Sequence, residues 1–197
     1  MRPEAGNREI RTCRMEQLSL NDERVIAKQL GRTPRGLLGV EHRCPYGYPQ
    51  VARVYPLVEG KPFPTLFWLT CPFLTKQIDR LEAEGWIKQT EQLLEEDALA
   101  ADFQKAHRAY IIERDRLFSP EDRASLEETG MLKDLLEKGI GGTADFKRIK
   151  CLHLHVAHAL ARTNPIGDRV LDALAEHACP PGKVICSILE NDQRTSL

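Results

Sequence analysis

Residues 67–86, FWLTCPFLTKQIDRLEAEGW, change period part-way along. Up to Thr70 they are apolar and β-rich. From Pro72, which suits a first helical position, Leu74, Ile78 and Leu81 recur at helical spacing until Gly85 ends the pattern. Cys71 stands on the joint, next to a helix N-cap. Upstream, PQVARVYPLVEGKPFPTLFWLT (49–70) holds two β-rich runs around Glu59-Gly60-Lys61-Pro62, the pattern of an antiparallel hairpin. A hairpin returns the chain to its starting edge, so Cys71 is expected near Cys44 of EHRCPYGYPQV (41–51), a second Cys-Pro joint.

Working outward, SLNDERVIAKQLGRTPRG (19–36) offers an N-cap in Ser19 or Asn21, a short helix carrying Val25, Ile26 and Leu30, a stop at Gly31 and then a basic loop. A longer helix is predicted from Ala98 to Leu117, and Ser119-Pro120 starts another. The acidic residues between 79 and 130 fall mostly between the apolar positions, as on a solvated helix face. GIGGTADFKRIK (139–150) reads as a linker, because its glycine spacing matches neither a P-loop nor a Rossmann turn. A helix through IKCLHLHVAHALART (149–163) follows. Asn164 and Asp168 of NPIGD read as turn and N-cap groups of a final helix to about His177. The fold class is α+β, a mainly helical single domain with a small antiparallel β-hairpin or sheet. Residues 1–18 are expected as a flexible leader, 19–177 as the globular domain and 178–197 as a loosely attached tail.

The chain has 197 residues, 42% of them hydrophobic, and a net charge of -1. This is enough for a core without disulfide staples, and it argues against a surface built for nucleic acid. No signal-peptide core and no bilayer-length apolar run is present, so the expected location is the cytoplasm, with no membrane partner. In a reducing compartment six cysteines are read as thiols or metal ligands, with Cys13 incidental.

Three of the thiols form a possible set, Cys44, Cys71 and Cys151, with the tail pair Cys179 and Cys186 as the alternative ligands in a segment of less helical order. A proline after cysteine fixes the next φ and removes a donor, which holds a thiolate in a turn. A helix N-terminus at Cys71 favours the thiolate, and Arg43 adds positive charge beside Cys44. On the helix opened by Cys151, Cys151 and His155 are i,i+4 neighbours able to share a metal. His158 lies roughly 10 Å along the axis from Cys151, too far for a direct co-ligand but placed for support or proton transfer. His153 points elsewhere unless the helix start is distorted, and suits a buried imidazole bonded to a carbonyl. Three thiolates leave one position open on a tetrahedral zinc or on one iron of a four-iron cluster. The spacing is neither a ferredoxin CxxCxxC motif nor paired CxxC knuckles, so the choice of metal stays open.

Together QLGRTPRGLLGVEHRCPYGYPQV (29–51), PFPTLFWLTCP (62–72), RIKCLHLHVAHAL (148–160) and NPIGD (164–168) resemble the bacterial family catalogued as domain of unknown function 501, over residues 22 to 175. The resemblance implies cysteines matching Cys44, Cys71 and Cys151 and histidines matching His153 and His158. Position 155 is usually apolar in that family, which sets His155 apart. A Cys-Pro-Cys sequence common there is Cys44-Pro45-Tyr46 here. The family carries no established activity.

The expected function is therefore an iron–sulfur protein with Cys44, Cys71 and Cys151 as metal ligands. Its open coordination position faces a pocket of Arg43, Thr70, His153 and His158, with His158 the candidate catalytic group. The chemistry expected is Lewis-acid activation or sulfur transfer on a small molecule or protein, with electron transfer as a simpler form. The alternatives are a zinc-stabilised interaction module and a metal-free helical scaffold. In the interaction module Arg24, Lys28, Arg32, Arg35 and Arg43 meet an acidic partner. RNA is disfavoured because aromatic interleaving is absent. Oligomeric state is not encoded in any pattern seen.

Overall fold

The computed structural model describes residues 16–191, so Cys13 lies outside the described residues. In chain order the elements are β1 (Glu16–Gln17), α1 (Leu20–Leu30), β2 (Leu37–Arg43), β3 (Pro49–Val54), β4 (Leu57–Val58), β5 (Lys61–Pro62) and β6 (Phe67–Leu69). There follow α2 (Pro72–Ala83), α3 (Trp86–Leu93), α4 (Asp97–Asp115), α5 (Pro120–Glu128), α6 (Met131–Glu137), a 3-10 turn at Ile140–Gly142, α7 (Leu152–Ala161), α8 (Pro165–Ala173) and α9 (Ile185–Asn191). This is an α+β fold.

The antiparallel sheet has the order β1-β2-β3-β6, and β4 and β5 form a separate small hairpin. The expected hairpin is thus β3 with β6, in the register Val51 to Leu69, with β4–β5 inserted between them. β2, expected as a basic loop, pairs with β3 over its whole length; its opening Leu37-Leu38-Gly39 does not alternate, and the pairing carries register shifts. Residues 16–17, expected in the leader, close the edge against Val40 and Gly39.

Strand alternation sends successive side chains to opposite faces. Val40 and Ala52 face α1 through Ile26, whereas Val51, Phe67 and Leu69 join the main core around α7. α7 is apolar nearly all round, and eight of its ten residues are buried, as a central helix requires. α8 packs directly on it. A Cβ at Gly167 would come within 2.0 Å of the His155 carbonyl oxygen, so only glycine permits that approach.

The helix ends are chemically explicit. Ser19 and Asp22 form a reciprocal capping box on α1, and Gly31, at φ +66°, closes it in the left-handed region. Asn164 caps α8 by accepting from the backbone N–H groups of Ile166 and Gly167. Residues 178–191, expected as a loose tail, are docked: the Lys28 ammonium donates to the Leu189 carbonyl at 2.6 Å, and Cys186 is buried. Among the described residues no helix is long and apolar enough to cross a membrane.

Candidate functional site

The described thiols occupy two places, a group of four at one and Cys151 alone at the other. The first gathers at the end of the sheet where β2 turns into β3. Cys44 opens that turn, its N–H donating to the Tyr48 carbonyl at 2.9 Å. The Tyr46 hydroxyl donates to the Cys179 carbonyl at 2.9 Å, and the Tyr48 hydroxyl to Glu190 at 2.7 Å, which ties the turn to the C-terminal segment.

Two glutamine amides aim at sulfur there. Gln50 Nε2 donates to Cys71 Sγ at 3.7 Å and to the His177 carbonyl at 2.8 Å. Gln29 Nε2 donates to Cys186 Sγ at 3.2 Å and to the Pro49 carbonyl at 2.8 Å. Gln29 Oε1 is buried without a partner beside them.

Electrostatics place these four thiols in one neighbourhood. Burial pushes the Cys186 thiol up to about 11, against the Gln29 hydrogen bond, and the thiols of Cys71, Cys44 and Cys179 add to the rise. Burial also raises Cys71, opposed by the N–H groups of Leu74 and Phe73 and by the Gln50 amide, with Cys179 adding to the rise. Cys71 is the N-cap of α2 as expected, but it closes no capping hydrogen bond, and desolvation outweighs the pull of the helix end toward a thiolate.

Cys179 and Cys186 were not in the expected set. A signal was present: Cys179 precedes Pro180, a third Cys-Pro joint. A cleft of about 840 Å3 opens beside this pole, with His42, Arg43, Cys44, Gln50 and Asp172 among its walls.

Cys151 stands at the second place. It is the N-cap of α7 with extended backbone, φ -161° and ψ 155°, so it stands off the helix and the i,i+4 relation to His155 does not apply. Among the described residues the three metal-ligating side chains whose donor atoms all lie within 4.8 Å of one another are Glu82, Cys151 and His153. Cys44 and Cys71 are not part of that group.

Of the expected pocket residues, Thr70 and His153 line one cleft of about 610 Å3 together with Cys151. Burial alone would lower His153, but Cys151 and Glu82, with the Thr75 carbonyl, raise it to about 9. Arg43 lines the other cleft and is spoken for: it pairs with Asp22 at 2.7 Å and Glu16 at 2.5 Å. The Arg43 guanidinium in turn holds the Asp22 carboxyl down at about 2.

His158 is a core residue rather than a pocket wall. Its ring stacks on Phe67 at 5.5 Å and meets Tyr110 edge-on, and burial drives it down to about 3. His155 is equally buried and also lowered to about 3. Asn164 Nδ2 lies 3.2 Å from His155 Nδ1 and 3.1 Å from His158 Nδ1, so the amide serves both rings while its oxygen caps α8. The expected roles of His153 and His158 are therefore exchanged, because α7 is buried nearly all round and only its first turn, which carries His153, opens on a cleft.

The basic stretch is engaged within the chain. Arg24 bonds Asn21, Lys28 bonds Leu189, Arg32 lies over Trp68, and Arg35 pairs with Glu59.

The profile of a family described as "Protein of unknown function (DUF501)" matches residues 40–172. No curated protein and no solved structure matches the chain.

Proposed function

Since the chain belongs to the DUF501 family, whose description assigns no activity, we propose from its own geometry that it carries an iron–sulfur cluster at the sheet-end pole. The thiolates are Cys44 and Cys71, as expected from sequence, with Cys179 and Cys186 in place of Cys151. The supporting observation is that these four thiols interact at one pole, two of them, Cys71 and Cys186, under amide N–H donors. Gln29 and Gln50 each direct an amide N–H at a thiol sulfur, and such donors stabilise a thiolate and tune the cluster it holds.

Four cysteine ligands are the usual complement of an iron–sulfur cluster, and the same four would close a tetrahedral zinc site, so iron and sulfide content separates the two. A cluster so held supplies one-electron chemistry, and four thiolates leave no iron open. The Lewis-acid and sulfur-transfer readings need a ligand set of three.

Anaerobic purification with iron and sulfide analysis tests this reading. Iron and acid-labile sulfide in near-equal amounts with broad visible absorption are expected. Serine at position 71, 179 or 186 lowers the iron content severalfold, and Cys151→Ser leaves it unchanged. The reading fails if anaerobic protein holds no iron, or if Cys151→Ser strips the iron while Cys179→Ser and Cys186→Ser keep it.

A further inference from the structure

Beside the cleft at β6 lies a donor set that the cluster does not use: Cys151 and His153 line the cleft, and Glu82 lies within reach of both. Cys151 caps α7, and His153 sits in the first turn of that helix. Across from them runs the last part of α2, with Asp79 and Glu82 one turn apart. His153 Nδ1 lies 3.2 Å from Glu82 Oε1, and its Nε2 lies 3.2 Å from Asp79 Oδ1 and 3.4 Å from the Thr75 carbonyl.

The two ring nitrogens thus do different jobs. Nδ1 meets the Glu82 carboxylate, Nε2 is held by Asp79 and the Thr75 carbonyl, and the Cys151 thiol lies within hydrogen-bonding reach of the ring. Glu82 is fixed as well, because its Oε1 accepts the backbone N–H of Leu152 at 2.5 Å.

We propose that Cys151, His153 Nδ1 and Glu82 bind a zinc ion, with Asp79 as the positioning residue on His153 Nε2 and the fourth coordination position open to the cleft. Bond lengths of about 2.3 Å to sulfur, 2.0–2.1 Å to nitrogen and 2.0–2.2 Å to oxygen place tetrahedral donors roughly 3.4–3.6 Å apart. The three donors already lie within 4.8 Å of one another and the nitrogen–oxygen pair at 3.2 Å, so closing on an ion needs side-chain movement only.

The donor chemistry selects the metal. A thiolate, an imidazole and a carboxylate form a mixed set suited to zinc and poor for calcium or magnesium, which take oxygen. Thiolate and carboxylate together neutralise the dication. The carboxylate behind the imidazole is the arrangement that orients zinc-binding histidines. Three protein ligands and an opening onto a cleft of about 610 Å3 correspond to an exchangeable zinc site rather than a closed structural one. Lys76, on the wall of the same cleft, supplies a cation for an anionic ligand at the open position.

The test uses the full chain, freed of metal by chelation and then given one equivalent of zinc. Iodoacetamide alkylation is followed peptide by peptide, so Cys151 is read apart from the four thiols of the pole. Zinc is expected to slow alkylation of Cys151 at least tenfold in the wild type. His153→Gln and Glu82→Gln abolish that protection, and Asp79→Asn weakens zinc affinity about 10–100-fold while retaining it. Protection persists in Cys71→Ser, which separates this site from the cluster. Equal alkylation rates at Cys151 with and without zinc in the wild type overturn the proposal without recourse to any variant, as does undiminished protection in a folded His153→Gln chain.

Discussion

α7 carries two histidine environments about a turn apart, and they are opposites. At its open end His153 lies between two carboxylates and beside a thiol, and is raised to about 9. In its buried half His155 and His158 share the Asn164 amide and are lowered to about 3. The residue type is the same, so the difference measures what surroundings do: partners and water favour the charge at one end, and desolvation forbids it at the other.

The buried end gives the largest effect. His155 and His158 near 3, and near 4 the buried His107 of α4, whose ring lies 6.2 Å from that of His155, all have folded values below the unfolded 6.5. Their stabilisation is complete above pH 6.5 and is lost as pH falls toward those values, because the unfolded chain takes up protons the core refuses. The rings interact, His107 and His158 each adding to the lowering of His155, so the three losses fall together rather than as independent sites. The chain should therefore unfold cooperatively between pH 6.5 and 4, before Asp22, held down at about 2 by Arg43, contributes its own loss. Circular dichroism against pH reads this. A His155→Leu chain should unfold at lower pH, and an unmoved midpoint would place the acid sensitivity outside this cluster.

Asn164 comes next, because one side chain serves both rings and α8. Asn164→Ala removes an N-cap, at about 1 kcal/mol, and leaves two buried ring nitrogens without a donor, at about 1–3 kcal/mol each. A loss of roughly 3–7 kcal/mol in urea denaturation is expected. A loss of about 1 kcal/mol would mean that the cap alone matters and that the rings find other partners.

This contrast also marks what was legible in the sequence. Periodicity located α1, α2, α4 and α8, and Ser19, Gly31, Pro72 and Asn164 announce ends of three of them through their own backbone chemistry; α8, expected to run to about His177 as the last helix, stops at Ala173 and is followed by α9. The β3–β6 hairpin was legible too, and with it the approach of Cys71 to the Cys44 turn. β2 was not, since its neighbours decide its pairing rather than its own alternation. The direction of each α7 histidine was hidden for a related reason: Cys151 leaves the helix, and that single extended residue re-aims the thiol from His155 to His153.

Glu82 and Asp79 were hidden among acidic positions that look like a solvated face. Only tertiary contact shows that Glu82 caps the next-but-several helix, through the Leu152 N–H, and that Glu91 does the same service for the Ile149 N–H. The tail cysteines stood only as an alternative pair, because their segment has little periodicity, although Cys179-Pro180 repeats the joint found at Cys44 and Cys71.

The open end yields the smallest effect and the opposite sign. His153 is raised above its unfolded value, so in metal-free protein its contribution is fully present below pH 6.5 and is lost as pH rises from there through about 9. The ring is 22% exposed and Asp79 is 62% exposed, so solvent screening reduces the gain to about 1–2 kcal/mol. Urea midpoints at pH 6, 7.5 and 9 in chelator should fall in the wild type and stay flatter in His153→Gln over that interval, with the two chains converging at the alkaline end. Asp79→Asn should remove only part of the slope, because Glu82 and Cys151 still face the imidazolium. Parallel slopes in wild type and His153→Gln would show that the imidazolium adds nothing to the α2–α7 contact, and that the carboxylates there act chiefly by holding the Ile149–Leu152 backbone.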